Sequence, residues 1–198
     1  SGEYLYEGKE VQVHGPRDVA ALGVEVVYQD LALCDNLDVV QNMYLGREET
    51  TSFRRLDETT MERKARETLT SLSVTTLQSV RTPVASLSGG QRQSVAVAKA
   101  VMWNSKLVIL DEPTAALGVA QTRQVLDLVR RLAEQGLAVV LISHNLHDIF
   151  EVADRIHIMR LGRRIAVIDP KKYTMSDAVA IMTGAVPPPP VDDWAMDS

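Results

Sequence analysis

The chain has 198 residues, of which 45% are hydrophobic and 24% are charged, and its formal net charge is −5. This composition argues against a disordered or fibrous class, and the length suits one compact domain. An acidic chain without a run of Lys and Arg also gives little support to nucleic-acid binding. Cys34 is the single cysteine and cannot form an intramolecular disulfide, and the apolar runs are far shorter than the ~20 residues that cross a bilayer.

The first thirty residues predict small β elements around one short helix. Apolar and polar residues alternate over residues 4–13, which predicts an antiparallel hairpin. Pro16 predicts the start of a helix that Gly23 ends, and residues 24–28 predict a strand that leads to Gln29.

Residues from about 30 to 86 predict a helical lobe set into an α/β core. One helix is expected from Asp38 to about Leu45. A second is expected with Asp57 as its N-cap, and its apolar face carries Met61, Ala65, Leu69 and Leu72.

After residue 88, strands and helices alternate, which predicts a largely parallel sheet. The expected elements are a helix through Val95, Ala98 and Met102, a strand at 107–110, a helix marked by Val125, Leu128, Val129 and Leu132 and ended by Gly136, a strand at 137–142, a helix after His144, and a hairpin at 156–168. Residues 185–198 contain four consecutive prolines and an acidic end, and we expect an extended or disordered tail there rather than a ligand for an aromatic groove.

Two carboxylates follow the apolar strand at 107–110, which we expect to be buried on both faces. Asp111 and Glu112 would then lie at its carboxyl end, where open α/β sheets bind ligands. In phosphoryl transfer, one such acid holds Mg²⁺ and its neighbour orients or deprotonates the attacking water. Taken alone, the pattern fits a solvated acidic turn equally well.

The segment Ser88, Gly89, Gly90 and Gln91 immediately precedes a predicted amphipathic helix. Glycines at a helix start allow backbone N–H groups to approach a phosphate, and the helix dipole favours the same anion. A plain turn is the more common use of such a glycine pair.

The order of these motifs, followed by Ile142-Ser143-His144 at the end of another strand predicted to be buried, resembles the ATP-binding-cassette (ABC) family over about residues 1–184. The sequence from Glu112 to Leu117 is most similar to that of ATPases of bacterial monosaccharide importers. The resemblance implies a P-loop NTPase-like core with a mostly parallel sheet, an inserted helical subdomain at about 30–86 and a small antiparallel β part.

The resemblance also implies roles for single residues. Glu112 matches the general base, Asp111 the Mg²⁺-associated acid, and His144 the switch histidine near the γ-phosphate. Gln29 matches the glutamine that touches Mg²⁺ and the attacking water. Residues 88–91, called the signature loop below, match the segment that contacts ATP bound to the opposite subunit.

The expected ligands are therefore ATP and Mg²⁺, and the expected activity is ATP hydrolysis that drives import of a small solute such as a sugar. The partners implied are transmembrane permease subunits, a second ATPase domain in a homodimer and, indirectly, a solute-binding protein. The implied location is the cytoplasm, peripheral on the inner face of the cell membrane. Nucleic acid is not an expected partner.

Two departures from the family pattern affect these expectations. Gly118 stands where many members carry an aspartate, and the phosphate loop Gly-x-x-x-x-Gly-Lys-Ser/Thr occurs nowhere in the 198 residues. We therefore expect a chain that lacks the N-terminal part of the fold and binds ATP poorly alone. Two alternatives remain: a naturally shortened, non-hydrolysing regulatory or binding module, and, less favoured, a cassette ATPase of DNA repair or translation.

Overall fold

The computed structural model describes residues 3–52 and 54–189. The chain divides into two compact units, Ser1–Ile142 and Ser143–Ser198. Residues 187–189 of the predicted tail have no regular secondary structure, and its residues 190–198 lie outside the described part. Among the described helices, none is both long enough and apolar enough to cross a membrane.

A short hairpin and a helix open the first unit. Strands β1 (Leu5–Tyr6) and β2 (Lys9–Glu10) pair antiparallel as predicted, although the ladder is shorter than the alternation suggested. Helix α1 (Pro16–Ala21) has proline in its first turn, where the fixed φ suits a helix and the missing N–H costs nothing. Gly23 follows with a φ of +80°, so the residue predicted to end this helix does lie beyond it in a conformation that favours glycine.

The sheet of the first unit is parallel, as the alternation of strands and helices predicted. Its strands are β3 (Val24–Val27), β4 (Leu107–Asp111) and β5 (Ala138–Ile142), in the order β3-β4-β5. Tyr28, predicted as part of β3, lies beyond its end and is exposed. The register aligns Val27 with Leu110 and Leu110 with Leu141, so all three strands end at one edge of the sheet.

The prediction that β4 and β5 are buried on both faces was wrong for β5 and only partly right for β4. In β4, Val108 and Leu110 are fully buried, whereas the alternate residues are half-buried. In β5, Val140 is 45% exposed and Ile142 is 48% exposed. Helices α4 and α5, described next, pack against β3 and β5 respectively, and α1 also packs against β3.

The N-cap predicted for the second helix of the lobe, Asp57, is confirmed, and the first helix starts near Asp38 as predicted. Helix α2 (Val39–Tyr44) is capped by Asp38 and α3 (Glu58–Ser71) by Asp57, whose carboxylate accepts a hydrogen bond from the Thr60 N–H. Hydrogen bonds from Thr60 lower the pKa of Asp57. Helices α4 (Gly89–Val101) and α5 (Val119–Glu134) pack on each other, and α2 packs on α4. Among the described residues of the predicted helical lobe, 30–86 without 53, β structure is limited to two isolated bridges.

The second unit contains a helix, the predicted hairpin and a further helix. Its elements are α6 (Leu146–Val152), β6 (Ile156–Arg160), β7 (Arg163–Ile168) and α7 (Met175–Thr183). The two strands pair antiparallel. Their inner face packs with α7 in a small core made by Ile156, Ile158, Ala166, Ile168, Ala178 and Ile181.

Candidate functional site at the carboxyl edge of the sheet

Three of the predicted residues leave the sheet at its carboxyl edge. Gln29 and Glu112 each lie two residues beyond a register pair, Val27 with Leu110. Asp111 is the last residue of β4 and pairs with Ile142 of β5. Because the parallel strands end together, the structure places Gln29, Asp111 and Glu112 at the same edge of the sheet, the one at which its strands end.

The backbone at Glu112 has an unusual conformation that its neighbours fix. Its φ is +48°, a region that residues other than glycine seldom adopt. The Glu112 N–H donates to the carbonyl of Ile142 over 2.9 Å, and its own carbonyl accepts from the Ala115 N–H over 3.1 Å. Non-glycine residues held in this way are concentrated at functional sites, which makes Glu112 a candidate functional residue.

The signature loop forms the N-terminus of α4. Ser88 is the N-cap: its N–H donates to Gln91 Oε1 over 2.9 Å, and its Oγ accepts from the Gln91 N–H over 3.4 Å. Gln91 Nε2 also donates to the carbonyl of Thr76 over 2.7 Å, which anchors the loop to the helical lobe. Ser88 and Gly89 are exposed, so the positive end of the α4 dipole faces solvent and could receive an anion.

The two glycines of the loop are explained by close packing against the start of α5. A Cβ added at Gly89 would lie 3.0 Å from Leu117 Cδ2, and one added at Gly90 would lie 3.2 Å from Gln121 Cβ. Leu117 and Gln121 follow Glu112 along the same segment. The glycines therefore let α4 approach the turn that carries the two carboxylates.

Sequence reasoning missed Arg92, which braces the signature loop from behind. Its Nη1 pairs with Asp35 at 3.2 Å, and its Nε and Nη2 donate to the carbonyls of Leu87 and Ala85 over 3.2 and 3.0 Å. A positive side chain in the first turn of a helix is repelled by the positive end of the helix dipole. This unfavourable placement is the sequence signal that could have marked Arg92 as a residue with a special role.

His144 belongs to the second unit and is described within it. It lies two residues before α6, whose N-cap Asn145 accepts a hydrogen bond from the His147 N–H over 3.1 Å. A shallow depression here is lined by residues 144–147 and by Met175, Ser176 and Val179.

The donor set at the sheet edge suits a magnesium ion that arrives with a nucleotide. The described residues contain no group of three or more His, Cys, Asp and Glu side chains that could hold a metal ion. Mg²⁺ bound with a nucleotide is typically held by one or two carboxylates, with phosphate and water oxygens completing the shell. Asp111, with the amide oxygen of Gln29, fits that requirement.

The parallel α/β sheet with acidic residues at its carboxyl edge, beside a glycine-started helix, has the fold of an ATP-binding cassette. Two solved structures support this: a nucleotide-free ATP-binding cassette from an ABC transporter (TM-score 0.76, 23% identity, 89% of this chain and 74% of that one) and a dimeric post-hydrolysis cassette bound to ADP and Pi (TM-score 0.68, 21% identity, 86% and 74%). At these identities the likeness shows the fold.

A family model described as ABC transporter matches residues 1–115. The chain is 54% identical over 194 residues to the fructose import ATP-binding protein FrcA of Rhizobium meliloti, covering 95% of this chain and 75% of FrcA. It is 40% identical over 182 residues to the xylose/arabinose import ATP-binding protein XylG of Sulfolobus acidocaldarius (92% and 72%). It is 38% identical over 184 residues to the xylose import ATP-binding protein XylG of Brucella abortus, of which it spans 36%. The chain belongs to the ABC transporter family.

Proposed function

We propose that the chain is the ATP-hydrolysing subunit of an importer for a sugar. The observation that carries the proposal is the Glu112 turn, where the Ile142 carbonyl fixes a carboxylate residue in a left-handed conformation at the carboxyl edge of the sheet. The names of the similar proteins, which refer to import of fructose, xylose and arabinose, support a sugar as the transported solute.

In the proposed mechanism Glu112 is the general base. A carboxylate accepts a hydrogen bond from water and removes its proton as the oxygen attacks the γ-phosphate in line with the leaving group. Asp111 and Gln29 would hold Mg²⁺, which when bound neutralises charge on the phosphate oxygens. Asp111 is half-buried at the end of β4, so its carboxylate can be oriented by the strand.

The signature loop would act on a nucleotide held by a second copy. Its exposed Ser88 hydroxyl and the N–H groups at the start of α4 can donate to an anionic oxygen. Two copies related by a twofold axis would each present this loop to the other, which makes the active unit a homodimer. His144 would contact the γ-phosphate as a further hydrogen-bonding group.

We further propose that the subunit lies on the inner face of the cell membrane, where the helical lobe at 30–86 docks onto a permease. A solute-binding protein would deliver the sugar from the other side. The permease and the solute-binding protein are partners that an import function requires.

The absence of the phosphate loop from the 198 residues favours a second proposal about this chain taken alone. Without the loop's lysine and N–H groups, the β- and γ-phosphates lose their main electrostatic partners, so the isolated chain binds ATP weakly. A non-hydrolysing module that keeps the signature loop is the competing function. Calorimetric titration of the 198-residue chain with Mg-ATP measures this affinity. A micromolar dissociation constant would refute the proposal that the isolated chain binds ATP weakly.

The test of the main proposal is Glu112→Gln in the protein expressed from its gene with its permease. We expect ATP turnover to fall by a factor of ~100 or more, as for loss of a general base, while ATP binding is kept. Glu134→Gln, at the exposed end of α5, is the matched control and should hydrolyse normally. Normal hydrolysis by the Glu112 variant would refute the assignment.

A further inference from the structure

The hairpin formed by β6 and β7 has a charge opposite to that of the whole chain. Residues 156–168 contain three arginines and one histidine but no aspartate or glutamate, whereas the net charge of the chain is −5. Arg160, Arg163 and Arg164 are exposed, and in the described part of the chain none of the three forms an ion pair. Their charges are therefore available to a partner.

Burial and two nearby arginines both act on His157, which belongs to the hairpin. The pKa of His157 lies below its ordinary value, first because the ring is partly buried and then because Arg164 and Arg155 lie close to it. His157 and Met159 alternate with the buried Ile156 and Ile158, so both lie on the outer face of β6.

The tip of the hairpin presents large apolar side chains to solvent. Leu161 is 91% exposed and Met159 is 58% exposed. Leu161 and Gly162 form the two-residue turn with φ angles of +49° and +75°, the conformation in which asparagine and glycine are favoured. A leucine here gains little packing within the chain and adopts an unfavourable backbone conformation, which is a local conflict of the kind found at interaction sites.

The arginines surround this apolar tip. Arg160 and Arg163 pair across the turn, and Arg164 lies opposite Met159. The guanidinium of Arg160 also lies close to Gly184, the residue that ends α7. The end of the hairpin therefore presents the exposed Met159 and Leu161 side chains beside three exposed arginines.

We propose that this hairpin tip, residues 159–164, binds an anionic membrane surface. Arginines pair with lipid phosphates at the interface, and exposed Leu and Met side chains enter the region just below the headgroups. The acidic remainder of the chain is repelled by the same surface, so the hairpin would set the orientation of attachment.

A lipid surface fits the tip better than an acidic protein does. The apolar residues lie on a convex turn, and a protein partner would need a concave pocket of matching shape to cover Leu161. A bilayer interface rearranges around a small convex protrusion without such a pocket.

The experiment measures co-sedimentation of the 198-residue chain with vesicles. One set contains phosphatidylcholine alone, and the other an equal mixture of phosphatidylcholine and phosphatidylglycerol. We expect binding only to the anionic vesicles, weakening with added salt. Arg163→Gln with Arg164→Gln should reduce binding at least tenfold, because each arginine near an anionic surface contributes about fivefold.

Two further variants separate binding from folding. Leu161→Asn should reduce vesicle binding several-fold while leaving the melting temperature unchanged or higher, since asparagine suits the turn. Lys9→Gln with Arg17→Gln removes two exposed charges elsewhere and should bind normally. The proposal is overturned if anionic vesicles do not bind, if either hairpin variant binds like the original chain, or if poly-glutamate binds as tightly without needing Leu161.

Discussion

Asn42 holds the first loop of the helical lobe in place, and its replacement by aspartate is expected to be strongly destabilising. It is fully buried in α2, its Oδ1 accepts from the Cys34 N–H over 2.7 Å, and its Nδ2 donates to the carbonyls of Cys34, Leu37 and Asp38 over 3.0, 3.2 and 3.0 Å. These bonds shape the loop that runs from Gln29 to α2. Asn42→Asp turns the three Nδ2 contacts into oxygen–oxygen contacts and buries a charge, so we expect a loss of about 3–5 kcal/mol in the free energy of unfolding at neutral pH.

The loss should depend on pH in a definite direction. Burial among carbonyl oxygens raises the pKa of the new carboxyl above the unfolded value of ~3.9, so the variant is penalised fully above its folded pKa and progressively less as pH falls toward ~3.9. A protonated carboxyl can also donate one of the lost hydrogen bonds.

Urea denaturation followed by circular dichroism, at neutral and mildly acidic pH, measures both effects. Gln41→Glu is the matched control, because it makes the same amide-to-acid change one residue away, keeps the oxygen that accepts from the Asp38 N–H, and is exposed. Its stability should stay within about 0.5 kcal/mol of the original chain, as for an ordinary surface change. An Asn42→Asp protein as stable as the control, or one that weakens relative to the original chain as pH falls, would refute the reasoning.

Three smaller predictions use the same denaturation measurements. Gly118→Asp should stabilise the chain by a few tenths of a kcal/mol, because Gly118 is the N-cap of α5 and an added Cβ would meet nothing closer than Gln121 Oε1 at 4.0 Å; a lower melting temperature would contradict this. Gly184→Ala should cost about 1–2 kcal/mol, because its φ is +81° and an added Cβ would also displace the end of the Arg160 side chain; an unchanged melting temperature would contradict this. Hydrogen bonds from Thr174 lower the pKa of Asp177, so the stability that the original chain has over Asp177→Asn should be present above ~4 and vanish as pH falls through the folded pKa; a difference that persists in acid would contradict it.

Local sequence signals predicted most of the helices and strands, but they did not predict which faces of these elements are buried. Asp38, Asp57 and Ser88 each begin a helix, as the sequence predicted, because an N-cap acts on N–H groups two or three residues away. Helix α7 was missed although it carries the same kind of signal, a capping box between Thr174 and Asp177. No element was predicted between the hairpin at 156–168 and the tail at 185–198, because the apolar pattern of this segment is short.

The burial of β5 could not be predicted from its five apolar residues. Such a run fits a strand covered on both faces or on one, and the difference depends on elements distant in the sequence. Asn42 and Arg92 were missed for a similar reason, since their partners are backbone carbonyls that only the fold brings near. The motif residues Gln29, Asp111 and Glu112 were placed at one edge because parallel register alone decides where strands end.

The central claim is that Glu112 of one copy and the signature loop of another serve one ATPase site. Mixing two inactive proteins tests it, one carrying Glu112→Gln and the other Ser88→Arg, each expressed from its gene with the permease. If the site is shared, half the mixed dimers pair the two variants and each has one intact site, so activity should return to about a quarter of the original. A Ser86→Arg protein, altered at an exposed residue just before the loop, should be active by itself. No recovery on mixing, with both variants folded and dimeric, would contradict the account.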